Sequence, residues 1–385
     1  MDITKLFEGL TDPRTKDNQT YPFECLMLIA VCSIMSGIDS FMGIEDYAET
    51  HKDFFDSYFN LTYTPTHDTF NRLFQALDIN EFEVWFRKKS VALIAFIESD
   101  NPPICIKINE KTGLLENLKH LAVDGKTVRN SGFLKAYHIV TAWCVDHKIS
   151  IGQLKVEEKS NEITAIPALI DSLETLKDTV VTIDAMGCQR EICEKIIEKE
   201  GCYIIAVKDN QPTLFENVRF QIEEDFEAAY ERCITENKGH GRIEKRWCTA
   251  QEVDHTKFDF RDWPGIKAVY AVDSDILQKK RGIEKRHLAT RYFVSNVKLS
   301  AQEALKKIRG HWGIEINLHW CLDVSLNEDG ACIQLENAVV NFNVLRKFAL
   351  NTLGIVKGKK SMASMFRHCA LPINSIKILN KLLNA

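Results

Sequence analysis

From His120 to Val207, apolar runs of strand length alternate with stretches of helical spacing, and this order restricts the fold more than any other feature of the chain. Residues 121–123, 136–145 and 151–156 read as strands, 163–176 as a helix, 180–183 as a strand, 189–199 as a helix and 203–207 as a strand. Runs such as Val180-Val181-Thr182-Ile183 suit buried strands. This region therefore reads as an α/β layer.

Three strands followed by a helix, a strand, a helix and a strand is the element order of a ribonuclease-H-like fold, an order that other α/β domains share in part. Residues 1–100 read instead as a small all-helical unit. Leu26, Ile29 and Ala30 recur at helical spacing, and Thr66-His67-Asp68 and Asp78-Ile79-Asn80-Glu81 are helix-start signals. Turn-rich residues between 99 and 113 mark the boundary. Within a domain spanning 115–355, residues 212–300 read as a β-rich insertion, with a helix near 215–232 and strand-like runs at 246–253, 268–272 and 292–297. Helical patterns resume at 301–324 and 337–353, and residues 356–385 form a C-terminal tail.

The 385 residues are 45% hydrophobic, enough to bury a sizeable core. No apolar run approaches the roughly 20 residues of a membrane helix. Asp2, Glu8, Asp12 and Asp17 interrupt any leader-like pattern, so a cytoplasmic protein without a membrane partner is expected. The 12 cysteines include no Cys-x-x-Cys pair, which argues against a zinc ribbon and for reduced, mostly buried thiols. A formal charge of -5 argues against a protein that coats nucleic acid, yet leaves room for a local basic groove.

Three carboxylates stand out. Asp124 follows Leu121-Ala122-Val123 and Asp184 follows the 180–183 run, each at or near a strand end, while Glu315 lies in a helical stretch. Carboxylates converging on one point raise each other's pKa unless a cation neutralises them, and magnesium or manganese suits hard oxygen ligands. Asp beyond a strand is also the ordinary residue of a turn or a helix cap. His311, Glu315, His319 and Asp323 recur every four residues, which on a helix gathers them near one face. Alone, that stripe also fits a single transition metal held by His311, Glu315 and His319.

The segments from His120-Leu-Ala-Val-Asp-Gly-Lys to Arg129, Lys159-Ser-Asn-Glu-Ile163, Thr182-Ile-Asp-Ala-Met-Gly-Cys-Gln189 and Val207-Lys-Asp-Asn-Gln-Pro212 resemble transposases of the ISAs type, which include the H-repeat-associated proteins. So do His240-Gly-Arg-Ile-Glu244, Arg291-Tyr-Phe-Val-Ser295, the run from Arg309 to Trp320 and Leu322-Asp-Val324. Leu10-Thr-Asp-Pro-Arg14, Ser36-Gly37 and Thr66-His-Asp-Thr-Phe70 resemble the helical domain that precedes the catalytic core of this family. The likeness runs from about Leu6 to Leu353.

The resemblance implies a DDE-type transposase with a ribonuclease-H-like core and a β-rich insertion. Its acidic residues fall on Asp124, Asp184 and Glu315, which would coordinate two Mg2+ ions, with Mn2+ able to substitute. The implied partners are double-stranded DNA, as transposon ends and target, and a second copy of the chain on that DNA. A nucleoid association would follow. Lys126, Arg129, Lys208, Gln211, Arg309 and His311 are candidate DNA contacts, with solvated or structural roles as the alternative. Lys279-Lys-Arg281, Lys285-Arg286, Lys306-Lys307 and residues 357–360 could extend a DNA path. Two departures are visible: Ile316 stands where the family reads Asn, and the basic residues that follow Glu-Asp are absent from the stretch containing Cys332 and Gln334. They leave open a catalytically impaired remnant that only binds DNA or proteins.

Overall fold

A computed structural model describes residues 3–15, 19–100, 107–108, 114–129, 131, 136–157, 161–224, 226–239, 242–280, 283–331 and 333–383. The motif residues Lys159, Ser160, His240, Gly241, Arg281 and Cys332 lie outside them. In chain order come helices α1 (Phe23–Met35), α2 (Phe41–Thr50), α3 (Lys52–Phe59), α4 (His67–Ala76) and α5 (Ile79–Asp100). Strands β1 (Lys107–Ile108), β2 (Leu115–Glu116), β3 (Lys119–Val128), β4 (Tyr137–Cys144) and β5 (Ile149–Lys155) follow. Next are α6 (Glu162–Asp171), β6 (Thr179–Ile183), α7 (Arg190–Glu198), β7 (Cys202–Val207) and α8 (Pro212–Glu224). Four long strands, β8 (Ala229–Gly239), β9 (Arg242–Glu252), β10 (Ala268–Lys280) and β11 (Ile283–Ser295), lead into α9 (Ala301–His311). The chain closes with α10 (Glu336–Val356), α11 (Met362–Cys369) and α12 (Pro372–Leu383).

Contacts group these elements into two compact units. The first comprises Met1–Pro103, Gly125–Val156 and Gly313–Ala385, and the second Ile104–Asp124 and Glu157–Trp312.

The first unit is built around two helices that are buried almost all round. In α1 every residue except Glu24 is buried, as expected of a helix whose sequence is apolar on all faces. The apolar run from Leu26 to Met35 is thus part of a core helix. Among the described residues, no helix is long and apolar enough to cross a membrane. Buried α10 carries polar side chains, several of which bond to neighbouring elements. Asn341 Nδ2 donates to the carbonyls of Phe74 and Leu77, Asn351 Nδ2 donates to Ser150 O, and Lys347 Nζ donates to Thr141 Oγ1 (2.7 Å) and Gln153 Oε1 (2.6 Å). Such bonds offset the cost of taking polar groups out of water and restrict α10 to one register against α4 and the β4–β5 hairpin. Residues 356–385, read as a tail, contain α11 and α12, whose Cys369, Ile376, Leu379 and Leu382 are buried.

The second unit is a mixed sheet in the order β3-β6-β7-β11-β10-β9-β8. β3, β6 and β7 run parallel, and from β7 onward each pairing is antiparallel. α9 packs Leu305 and Ile308 onto Tyr270, Val272 and Cys248 of the antiparallel part. The insertion departs from its sequence reading at two places. The helix expected over 215–232 ends at Glu224, because residues from Ala229 onward take their hydrogen bonds from β9. β10 and β11 are also far longer than the apolar runs at 268–272 and 292–297, since the ladder continues where the side chains turn charged and solvent-facing. Among the described residues the cysteines are free thiols, and Cys25, Cys32, Cys188, Cys193, Cys248 and Cys369 are buried.

Candidate metal centre

Asp124 and Asp184 come from neighbouring parallel strands. The ladder pairs Val123 with Ile183, so the residues that follow them stand side by side. β6 stops there, whereas β3 runs on to Val128, so Asp124 sits within its strand rather than at its end. Burial changes at the same point: Leu121 to Val123 are buried and Asp124 is half-buried.

Asp184 is exposed and caps the turn Ala185–Gly187. Its Oδ1 accepts the backbone N–H groups of Met186 (3.0 Å) and Gly187 (3.3 Å). The ordinary reading of this residue as a cap is therefore correct, and it is compatible with a second role, because Oδ2 is left for another ligand. The turn needs glycine: a Cβ at position 187 would lie 2.2 Å from Ile183 Cγ2.

Strand alternation puts His120 on the face of Asp124 and Thr182 on the face of Asp184. There the Thr182 hydroxyl links two imidazoles, with His120 Nε2 at 2.8 Å and His311 Nδ1 at 3.1 Å. Burial foremost, then Lys307, His311 and Lys306, holds His120 well below the usual imidazole range, so its ring is neutral. The single hydroxyl proton can serve only one ring, and the other ring must donate. His120 and Thr182 were not singled out in the sequence. The available signal was their spacing of four and two residues before the two aspartates.

Glu315 belongs to the first unit. The regular helix expected over 301–324 ends at His311, and Glu315–His319 and Cys321–Ser325 are π-helical turns. Such turns are rare and gather at functional positions. Glu315 is exposed, and its Oε2 lies 3.5 Å from Nδ1 of buried His319. A cavity of about 920 Å³ begins on Glu315 and is lined further by Ile316, Trp320, Val324, Lys357 and Phe366.

Lys126, a candidate DNA contact or else a solvated charge, lies among carboxylates. Its Nζ lies 2.7 Å from Asp323 and Glu328 and 3.2 Å from Asp329, with Glu328 fully buried. Burial works against the ammonium, but Glu328 and Asp323 outweigh it and hold the Lys126 pKa above its ordinary value. Burial, then repulsion from Asp329 and Glu328, outweighs the pull of Lys126 and raises Asp323. Arg129 is exposed, and its backbone N–H donates to Asp329 Oδ1. Lys208 is exposed just beyond β7. Gln211 Nε2 donates to Cys188 O at 2.8 Å, bracing the turn after Asp184. Half-buried Arg309 lies near Arg246 and Glu244.

The donor set fits a hard divalent cation. Asp124 and Asp184 each follow one of the paired residues Val123 and Ile183, offer oxygen only, and are accessible enough for water to complete the coordination. Asp184 has one oxygen already oriented by backbone donors, which pre-sets the carboxylate.

Residues 116–352 match the family model described as the transposase DDE domain, and residues 4–88 match its companion, described as DDE_Tnp_1-associated. The chain belongs to the DDE transposase family, and is thus an enzyme of the transposase class. Among its relatives is the H repeat-associated putative transposase YhhI of Escherichia coli (strain K12), 33% identical over 368 residues, 92% of this chain and 91% of the relative. An uncharacterized protein from the dhlA 3' region of Xanthobacter autotrophicus is 32% identical over 274 residues, 70% of this chain and 86% of the relative. Among solved structures, a piggyBac transposase synaptic complex with hairpin DNA is similar over 100% of this chain and 78% of that chain. Its TM-score of 0.40 and identity of 11% are too low to carry an argument.

Proposed function

We propose that this chain cuts DNA at the ends of an insertion sequence and joins the freed 3'-hydroxyl to target DNA, with Asp124, Asp184 and Glu315 holding two magnesium ions. The observation that supports this reading is the β3–β6 register, which pairs Val123 and Ile183, the residues just before Asp124 and Asp184, in a chain of the DDE family. Element order and the parallel β3-β6-β7 set support a ribonuclease-H-like core. Residues 1–100 would form the helical domain before it, 212–300 its insertion and 356–385 a C-terminal extension.

In the first step water attacks the phosphodiester, and the bond to the 3'-oxygen breaks to leave a 3'-hydroxyl and a 5'-phosphate. In the second, that hydroxyl attacks a target phosphodiester and displaces another 3'-oxygen. Magnesium bound by these carboxylates would supply the charge neutralisation and the acidified oxygen that both steps need, and manganese would substitute. Asp184, braced by Met186 and Gly187, presents its free oxygen in one orientation, and Asp124 supplies the second carboxylate from the adjoining strand. The partners are duplex DNA and a second copy of the chain assembled on it, in the cytoplasm and on the nucleoid.

The test is a magnesium-dependent cleavage and strand-transfer assay on DNA carrying the element's own ends. Asp124→Asn, Asp184→Asn and Glu315→Gln should each lower both steps at least 1,000-fold, a barrier increase of about 4 kcal/mol. Retained activity in any of the three would refute the shared site. Persistence in both Asp124→Asn and Asp184→Asn, with loss only in Glu315→Gln, would point to a single metal on the histidine-bearing stretch instead. Nothing at Ile316, an exposed residue beside Glu315, favours the impaired remnant.

A further inference from the structure

The distal ends of β8, β9, β10 and β11 form a ribbon whose two faces differ in charge, and the strand registers show how. Side chains alternate between the faces, and directly paired residues share one. On one face, Arg291 pairs with Val272, Arg246 with Ser274, and Arg242 and Lys285 both flank Gln278. Among the described residues from the Val272 row outward, the one carboxylate on this face is Glu244, which is ion-paired to both Arg242 and Arg246. The opposite face carries Lys238, Lys245 and Arg286 together with Glu236, Asp273, Asp275 and Glu284. There each named cation lies against a carboxylate: Arg286 chelates Asp275 at 2.6 and 2.8 Å, and Lys238 and Lys245 share Glu236 at 2.9 and 3.6 Å.

The basic face continues the one that packs on α9, and α9 adds Arg309 to it. Burial foremost, then the nearby Arg246, lowers the Arg309 pKa against the pull of Glu244. Arg291 lies over the Trp312 ring with its guanidinium 4.7 Å from the ring centre. Arg242, Lys285 and Arg291 are all exposed. In a chain whose net charge is -5, a surface with this excess is maintained against the overall balance.

We propose that this face, defined by Arg242, Lys285 and Arg291, binds the phosphate backbone of duplex DNA, and that the opposite face of the same ribbon does not. The proposal rests on the reading of the chain as a DNA-cutting enzyme, and deepens it by assigning the insertion a role. It also divides the basic cluster Lys285-Arg286, because neighbours along a strand point to opposite faces: Lys285 contacts DNA and Arg286 belongs to the neutral face.

Binding of a labelled random-sequence duplex, measured by anisotropy across a salt series in EDTA, tests this without requiring catalysis. The triple variant Arg242→Gln, Lys285→Gln, Arg291→Gln should lower the slope of log affinity against log salt by about 2.7, about 0.9 for each lost phosphate contact. The triple variant Lys238→Gln, Lys245→Gln, Arg286→Gln changes the net charge equally and should keep the wild-type slope. Exchanging Arg242 and Arg291 for Lys and Lys285 for Arg should restore it, which separates lost charge from lost folding. Equal loss in both Gln triples, an unchanged slope in the first, or no duplex binding by the wild type overturns the proposal. Magnesium-dependent cleavage that persists alongside an unchanged slope would leave the catalytic reading standing while this one fell.

Discussion

At Asp184 a single side chain has two duties. One oxygen takes the backbone donors of a tight turn, and a Cβ at residue 187 of that turn would crowd Ile183. Gly187→Ala should therefore cost about 1–3 kcal/mol in urea melts through overpacking against Ile183, and should weaken magnesium binding as well. His120 offers a second residue-level test. Its folded pKa lies well below the unfolded value near 6.5, so the unfolded state binds the extra proton first. Stability from this group is complete above pH about 6.5 and falls as pH drops below it, by at most about 1.4 kcal/mol per pH unit. Urea melts between pH 7.5 and 5.5 should show this extra loss in the wild type and not in His120→Gln. Equal losses would mean that His120 is not held neutral.

Among the elements, the two π-helical turns and the Lys126 contacts mark where sequence periodicity misleads. α-Helical geometry would place His311, Glu315, His319 and Asp323 on one face, but from Glu315 the helix closes its rings over five residues. Asp323 then meets Lys126 with Glu328 and Asp329, an arrangement that draws on residues about two hundred positions apart. Lys126→Met should destabilise the fold by about 3 kcal/mol, because fully buried Glu328 would lose its ammonium partner. Thermal unfolding checks this; a loss below about 1 kcal/mol would show the contact to be merely surface screening. A similar limit hid the length of β10 and β11. Their distal halves read as charged loop, and only the cross-strand ladder makes them strands.

At the scale of the whole molecule, metal use and DNA holding should separate. EDTA should abolish cleavage while leaving duplex binding and its salt dependence intact, because the proposed binding face carries no metal ligand. Magnesium at about 100 times its dissociation constant should stabilise the wild type by about 2.7 kcal/mol for each bound ion, and Asp184→Asn should lose that gain in a thermal scan. A shift of equal size in the variant would place the ion elsewhere. By itself the sequence determined the α/β order around Asp124 and Asp184, the apolar helices α1 and α10, and the family, since these are local patterns of period, apolarity and motif. Tertiary structure alone decided that Lys126 neutralises buried Glu328, that Thr182 joins His120 to His311, and that Lys285 and Arg286 face opposite ways in the ribbon. Each of those facts depends on which backbone lies alongside which, and pairing between distant segments leaves no period in the chain.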